Sequence, residues 1–155
     1  MYWRMKRSDF DAKRGQGTKR ALKKLVTQER VPGLLAYVED EPIGWCSVAP
    51  REEFPVLERS RILKRVDREP VWSVVCFFVA RPHRRKGITV ELLKAAAEYA
   101  GRCGAKIIEG YPVESKKDDI APVFIYTGIA SAFRRAGFQE VARRSETRPI
   151  MRYYL

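Results

Sequence analysis

The sequence is poor in the residues that usually hold metals or activate nucleophiles. It has one histidine, His83, and three cysteines, Cys46, Cys76 and Cys103, with no Cys-x-x-Cys pair among them. A structural zinc site takes four such ligands, so no metal is expected. Any Cys-His or Ser-His-Asp device would have to be built on His83. The cysteines are odd in number, far apart and set in apolar stretches, which predicts buried free thiols. Long hydrophobic runs are missing as well. None reaches the roughly 18–20 residues that span a bilayer. Met1–Lys6 also lacks the apolar core of a signal peptide, so a cytoplasmic protein with no membrane contact is expected. No repeat, low-complexity tract or linker divides the chain, which predicts one domain over residues 1–155.

Acid is scarce too. Against 31 Lys and Arg stand 19 Asp and Glu, leaving a net charge of +12. Such an excess points to an anionic partner: nucleic acid, a membrane surface or a polyphosphate cofactor. The basic residues are scattered, and no helix-turn-helix, zinc finger or aromatic-basic RNA motif is visible, which counts against a nucleic-acid-binding module. With 45% hydrophobic and 32% charged residues, the composition is that of a globular protein.

Periodicity then sets out the elements. Ala21, Leu22, Leu25 and Val26 recur at helical spacing within a basic segment that Pro32-Gly33 stops. Residues 34–38 and 43–48 read as two strands, joined too briefly for anything but an antiparallel hairpin. Residues 50–70 are charged and irregular, with Phe54, Leu57, Ile62, Leu63 and Val66 suggesting a short helix. Residues 71–79 form a nearly continuous run of β-formers, a strand buried on both faces and so central to a sheet. A helix follows from about Ile88 to Cys103, with Ile88, Leu92, Ala96, Tyr99 and Cys103 in one stripe and Gly104 as its cap. Residues 106–111 supply a second, parallel strand, completing a βαβ unit. After a polar loop from Glu114 to Asp119 comes a short helix near 127–136 with Ile129, Ala132, Phe133 and Ala136 inward. A final antiparallel pair, 138–143 and 147–154, ends the chain, and Ile150–Tyr154 is expected as an exposed strand able to pair across a homodimer. The fold class predicted is α+β: a mixed, mostly antiparallel central sheet with one parallel βαβ unit, flanked by helices.

The loop between the central strand and the long helix carries the chemistry. The first turn of a helix leaves backbone N–H groups without intrahelical partners, and its dipole end is positive. In Arg84-Arg85-Lys86-Gly87-Ile88-Thr89, Gly87 clears an approach and the three cations add charge-assisted bonds, so a pyrophosphate would fit. A nucleoside-triphosphate P-loop is absent, and Gly15-x-Gly17 lacks both the third glycine and the preceding strand of a dinucleotide fingerprint.

This loop resembles that of the GNAT superfamily of N-acetyltransferases, whose signature is Gln/Arg-x-x-Gly-x-Gly/Ala between a strand and a helix. Arg84-x-x-Gly87-x-Thr89 matches it except at Thr89, and Phe77–Pro82 is similar to the family's lead-in. Ala132-Phe133-Arg134-Arg135-Ala136-Gly137-Phe138 looks like the family's ending. The resemblance implies acetyl-CoA as cosubstrate. The backbone near Phe78 and Val79 would pair with the pantetheine arm, and the amides of Arg85, Lys86, Gly87, Ile88 and Thr89 would hold the pyrophosphate. It implies direct attack by a small-molecule or peptide amine in a ternary complex. Phe133 stands where many members carry the tyrosine that protonates the leaving thiolate. Tyr126 is the candidate substitute, with solvent as the alternative. Glu109, an acid inside an apolar strand, is the candidate general base; the alternatives are a solvated strand end or pairing with an arginine. A catalytically degenerate coenzyme A binder is a further reading, motivated by Phe133.

Overall fold

The computed structural model describes residues 1–114 and 122–155. Most of the loop expected at Glu114 to Asp119 lies outside those residues. Among the described residues, six strands form one sheet: β1 (Leu34–Val38), β2 (Glu41–Pro50), β3 (Trp72–Val79), β4 (Ile107–Gly110), β5 (Gln139–Arg143) and β6 (Pro149–Tyr154). Their spatial order is β1-β2-β3-β4-β6-β5. Only β3 and β4 run parallel among neighbours, pairing Trp72 with Ile108, Ser73 with Glu109 and Val74 with Gly110. The sheet is thus mixed and mostly antiparallel, with the βαβ unit at its centre, as the sequence predicts.

Among the described residues, five α-helices flank it: α1 (Arg7–Ala12), α2 (Gln16–Thr27), α3 (Pro55–Arg59), α4 (Ile88–Arg102) and α5 (Ala130–Arg135). One face of the sheet packs Cys46, Val48, Val74 and Phe77 against Leu93 and Ala96 of α4 and Phe133 of α5. The opposite face packs Val75, Tyr111 and Ile150 against Trp3, Phe54 and Leu57. The long helix ends as expected at Gly104, whose φ of 85° lets Ala105 N–H reach back to Ala100 O at 3.0 Å.

Several expectations are corrected. The final strand is no edge: β6 lies between β4 and β5, and Ile150, Met151 and Arg152 are buried. The chain's last hairpin folds back, so β5 and not β6 takes the rim, and the basis for pairing through Ile150–Tyr154 is gone. Cys46 is buried, but Cys103 is exposed because it falls one residue past the last turn of α4. Ile129 precedes α5 and is exposed, and Val26 of α2 is 56% exposed. The irregular 50–70 segment forms a 3-10 turn at Arg51–Glu53 and then α3, which Pro55 starts.

Gly110 closes β4 beneath the Phe133 ring. A Cβ there would meet Phe133 Cε1 at 2.1 Å. Gly110→Ala is expected to cost about 1–3 kcal/mol through overpacking, seen as a lower midpoint of thermal unfolding.

Candidate active site

Strands β3 and β4 part company after Val74 and Gly110. Beyond that point β3 keeps β2 on one side, while its other edge is met by the turn at 125–128, where Phe77 N–H donates to Tyr126 O at 2.6 Å. Backbone groups alternate in direction along a strand, so the peptide groups of Val79 face the same side as those of Phe77. A cleft of about 520 Å³ opens at this place. Its floor is apolar, from Phe77, Ile88 and Ala132; its mouth carries Arg84, Arg85 and Arg135. No carboxylate lines it among the described residues. The field inside therefore favours an anion.

The loop from β3 to α4 is held by its own side chain: Arg84 Nε donates to Val79 O at 2.9 Å. Arg85 and Gly87 both take left-handed conformations, φ 62° and 84°, on either side of Lys86. For Gly87 this costs nothing, and it is the reason glycine is needed at the N-cap of α4. Among the described residues, none of the N–H groups from Arg85 to Thr89 donates to a backbone carbonyl. The first helix amide with such a partner is Val90, bonded to Gly87 O at 2.8 Å. Five consecutive open amides at the positive end of a 15-residue helix make a concave anion cradle.

Of the residues singled out from the sequence, the structure brings Phe78, Val79, Arg84, Arg85, Gly87, Ile88, Thr89 and Tyr126 to the cleft wall. The Lys86 side chain is exposed and not on that wall. Arg135 was not foreseen. Its Nη2 lies 3.9 Å from where a Gly87 Cβ would be, so a guanidinium from α5 stands directly over the cradle. Only the fold brings these two residues together, and the pair Arg134-Arg135 carried no local sign of it.

Glu109 is not placed on the cleft wall. It is fully buried on β4, and its carboxylate accepts from Arg51 Nη1 at 3.1 Å, Tyr111 OH at 2.7 Å and Arg152 Nε at 2.7 Å. Two guanidiniums and a phenol hydroxyl occupy the carboxylate in the buried interior and leave it no route to a substrate amine. Arg51 and Arg152, far away in sequence, create this arrangement. Phe133 is also buried, in edge-to-face contact with Phe77 and Phe138. Tyr126 is the tyrosine of the cleft. Burial is the main cause that raises its hydroxyl above the ordinary tyrosine value, so it keeps its proton at neutral pH. Cysteine is no nucleophile here: burial pushes the Cys46 thiol up to about 12 and raises Cys76 as well. Among the described residues no cluster of His, Cys, Asp and Glu could hold a metal, and no helix is long and apolar enough to cross a membrane.

No curated protein matched the sequence. Solved structures share the fold. A GNAT-family protein from Desulfovibrio desulfuricans is 14% identical with a TM-score of 0.57, over 97% of this chain and 83% of its own. The ribosomal-protein-alanine N-acetyltransferase of Brucella melitensis is 17% identical with a TM-score of 0.55, over 90% of this chain and 78% of its own. The protein yncA of Salmonella typhimurium, solved with acetyl-CoA, is 15% identical with a TM-score of 0.56, over 89% of this chain and 73% of its own. Residues 2–118 match the acetyltransferase (GNAT) family, with the parted strands and the amide cradle inside or beside that span, and the chain belongs to this family.

Proposed function

We propose that the chain moves an acetyl group from acetyl-CoA to a primary amine, by direct attack within a ternary complex. The observation that carries this reading is the run of open amides from Arg85 to Thr89 at the end of an apolar cleft. A pyrophosphate would be held there, with Arg135 above it, and the Val79 N–H on the edge of β3 would pair with an amide-bearing arm laid along the cleft floor. Acetyl-CoA supplies both, together with an activated thioester. Direct transfer is favoured because no thiol lines the cleft among the described residues, so an acyl-enzyme has no obvious bearer. Tyr126 is the proton donor for the leaving thiolate. With no carboxylate on the wall among the described residues, the amine's proton goes to water in this reading, and turnover should rise with pH toward the amine's own pKa.

Calorimetric titration with acetyl-CoA tests the binding step, and free-thiol release over a panel of amines tests transfer. Gly87→Asp keeps a residue tolerant of the left-handed conformation but adds a negative charge in the cradle. It is expected to weaken acetyl-CoA binding about 10–100-fold, the loss of one or more charge-assisted hydrogen bonds. Absence of acetyl-CoA binding in the unaltered protein would sink the reading, and salt-sensitive binding to random DNA would revive the nucleic-acid alternative. Binding without transfer to any amine would mark a degenerate coenzyme A binder.

A further inference from the structure

The excess of base is uneven along the chain. Residues 12–28 hold Lys13, Arg14, Lys19, Arg20, Lys23 and Lys24 and no Asp or Glu, so half of the net charge of +12 stands in one short stretch. Four of these cations are on α2 (Gln16–Thr27). At about 100° per residue, Lys19, Lys23, Arg20 and Lys24 fall within roughly 140° of arc, and Ala21, Leu25, Leu22 and Val26 fill the other side. All four cations are exposed, whereas Ala21, Leu22 and Leu25 are half-buried. The helix thus turns apolar residues to the protein and its charge to solvent.

None of Lys13, Lys19, Arg20, Lys23 and Lys24 is in an ion pair among the described residues; Arg14 pairs with Asp11. Elsewhere on the surface Arg65, Lys94, Arg134 and Arg143 each face a glutamate. Like charges four apart, as Lys19 with Lys23 and Arg20 with Lys24, work against a helix. A face of that kind is complementary to a run of acids.

Ring contacts tie the start of this segment to the cleft. The Arg14 guanidinium lies 5.7 Å from the centre of the Phe10 ring of α1. Phe10 meets Tyr2 at 5.5 Å, Tyr2 meets Trp3 at 5.3 Å, and Trp3 meets Tyr126 at 6.4 Å between ring centroids. Tyr126 lines the cleft. Trp3 belongs to the core on the sheet face opposite α4, so this path leaves the cleft on the side away from the amide cradle. We infer that the exposed basic face of α2 docks an acidic polypeptide, and that this polypeptide carries the amine presented at Tyr126. The amine's part rests on the acetyl-transfer reading; the docking face stands on its own charge and exposure. Chemistry favours a polypeptide over other polyanions. Transfer takes an unconjugated amine, and the amino groups of nucleic-acid bases are conjugated with their rings. A bilayer takes a helix by its apolar side, which here is turned largely to the protein. Four cations spread over about 7.5 Å of helix axis match several acids in a row, not the single carboxylate of a small metabolite.

Labelled peptides test it. Each has an unblocked α-amino group, a flexible Gly-Ser spacer of graded length, and a tail of about six glutamates or, as its match, glutamines. Binding to the protein alone is read by fluorescence anisotropy, and transfer by thiol release with acetyl-CoA. The glutamate peptide is expected to bind at least about 10-fold tighter than its match and to exceed it as much in kcat/KM, since several exposed pairs act together. The gain should shrink as salt rises. Replacing Lys19, Arg20, Lys23 and Lys24 by glutamine, a good helix former, should abolish the gain and leave acetyl-CoA affinity alone. Replacing them by glutamate should invert it, so that a lysine-tailed peptide is preferred, and this variant carries the test if the first does not fold. Equal binding of the two peptides overturns the inference, as does a glutamate preference that survives in the glutamine variant. Random duplex DNA or phosphatidylserine vesicles that bind more tightly than the glutamate peptide, and lose that binding in the variant, would give the face to another polyanion and overturn it too. Acid-selective binding with no advantage in kcat/KM overturns the link to the acceptor. Acid-selective binding by a protein that does not bind acetyl-CoA upholds the docking face and removes the acetyl-transfer reading.

Discussion

Replacing Glu109 by glutamine is expected to lower stability by about 3–5 kcal/mol, the usual cost of breaking a buried ion pair from one side. In a chain of 155 residues that corresponds to a fall of roughly 6–20 °C in the thermal midpoint. The reason is what remains behind. Arg51 is fully buried and Arg152 nearly so, and Glu109 is the partner they share. An amide keeps the shape but carries no charge, and its NH2 group would face a donor. Outer partners survive, since Arg51 Nε still meets Glu58 at 2.9 Å and Arg152 Nη1 meets Asp67 at 2.6 Å. They are half-exposed and do not replace the central carboxylate. Asp67 adds a pH dependence of known sign. Its hydrogen bond to Arg152 lowers its pKa in the folded state, so its contribution is present above about pH 4 and is lost as pH falls further. Replacing Arg51, Glu109 and Arg152 together by apolar residues of similar volume should recover most of the loss, because no buried charge is then left alone. Melting curves by circular dichroism check both. If Glu109→Gln instead melts normally and loses turnover with an altered pH profile, the carboxylate acts in the chemistry after all.

This network shows where the sequence stops being readable. The strand at Trp72–Val79 and the helix at Ile88–Arg102 were legible because local pattern decides them: a run of β-formers, then a 3.6-residue stripe opened by one glycine and closed by another. The amide cradle was legible for the same reason, since its N–H groups all come from five consecutive residues, Arg85 to Thr89. Glu109 could be seen as an odd acid in an apolar strand, but its partners lie 58 and 43 residues away. Nothing local names Arg51 or Arg152. Arg135 was missed on the same grounds, as its contact with Gly87 exists only once α5 lies against α4. Periodic reasoning also ran past element ends: Cys103 and Ile129 continue the stripes of their helices but fall just outside the helical residues, where the inward direction is lost. The position of β6 inside the sheet was not legible either, because strand order depends on long-range pairing.

Tyr126→Phe is expected to lower kcat about 100–10,000-fold, the range of a general acid, with little change in acetyl-CoA affinity. The backbone of residue 126 is fixed through its carbonyl, which accepts from Phe77 N–H, so the ring position does not depend on the hydroxyl. The ring packs at a tilt of 36° beside Trp3, a contact phenylalanine keeps. Stability should therefore change little, which separates this variant from Glu109→Gln. A leaving thiolate of ordinary thiol pKa, about 8.5, takes a proton readily from a donor that is still protonated at the working pH. The raised value of Tyr126 meets that condition. It also predicts the shape of the pH profile. Turnover climbs as the amine loses its proton, and above about pH 10, the ordinary tyrosine value, it falls as the hydroxyl ionises. The Phe variant should keep the climb and lose the fall. Phe133, packed between Phe77 and Phe138 with its ring against Gly110, has no acidic proton to give and cannot serve instead. A loss of less than about threefold in kcat would assign the proton to solvent, because a positioned general acid is worth at least about 100-fold.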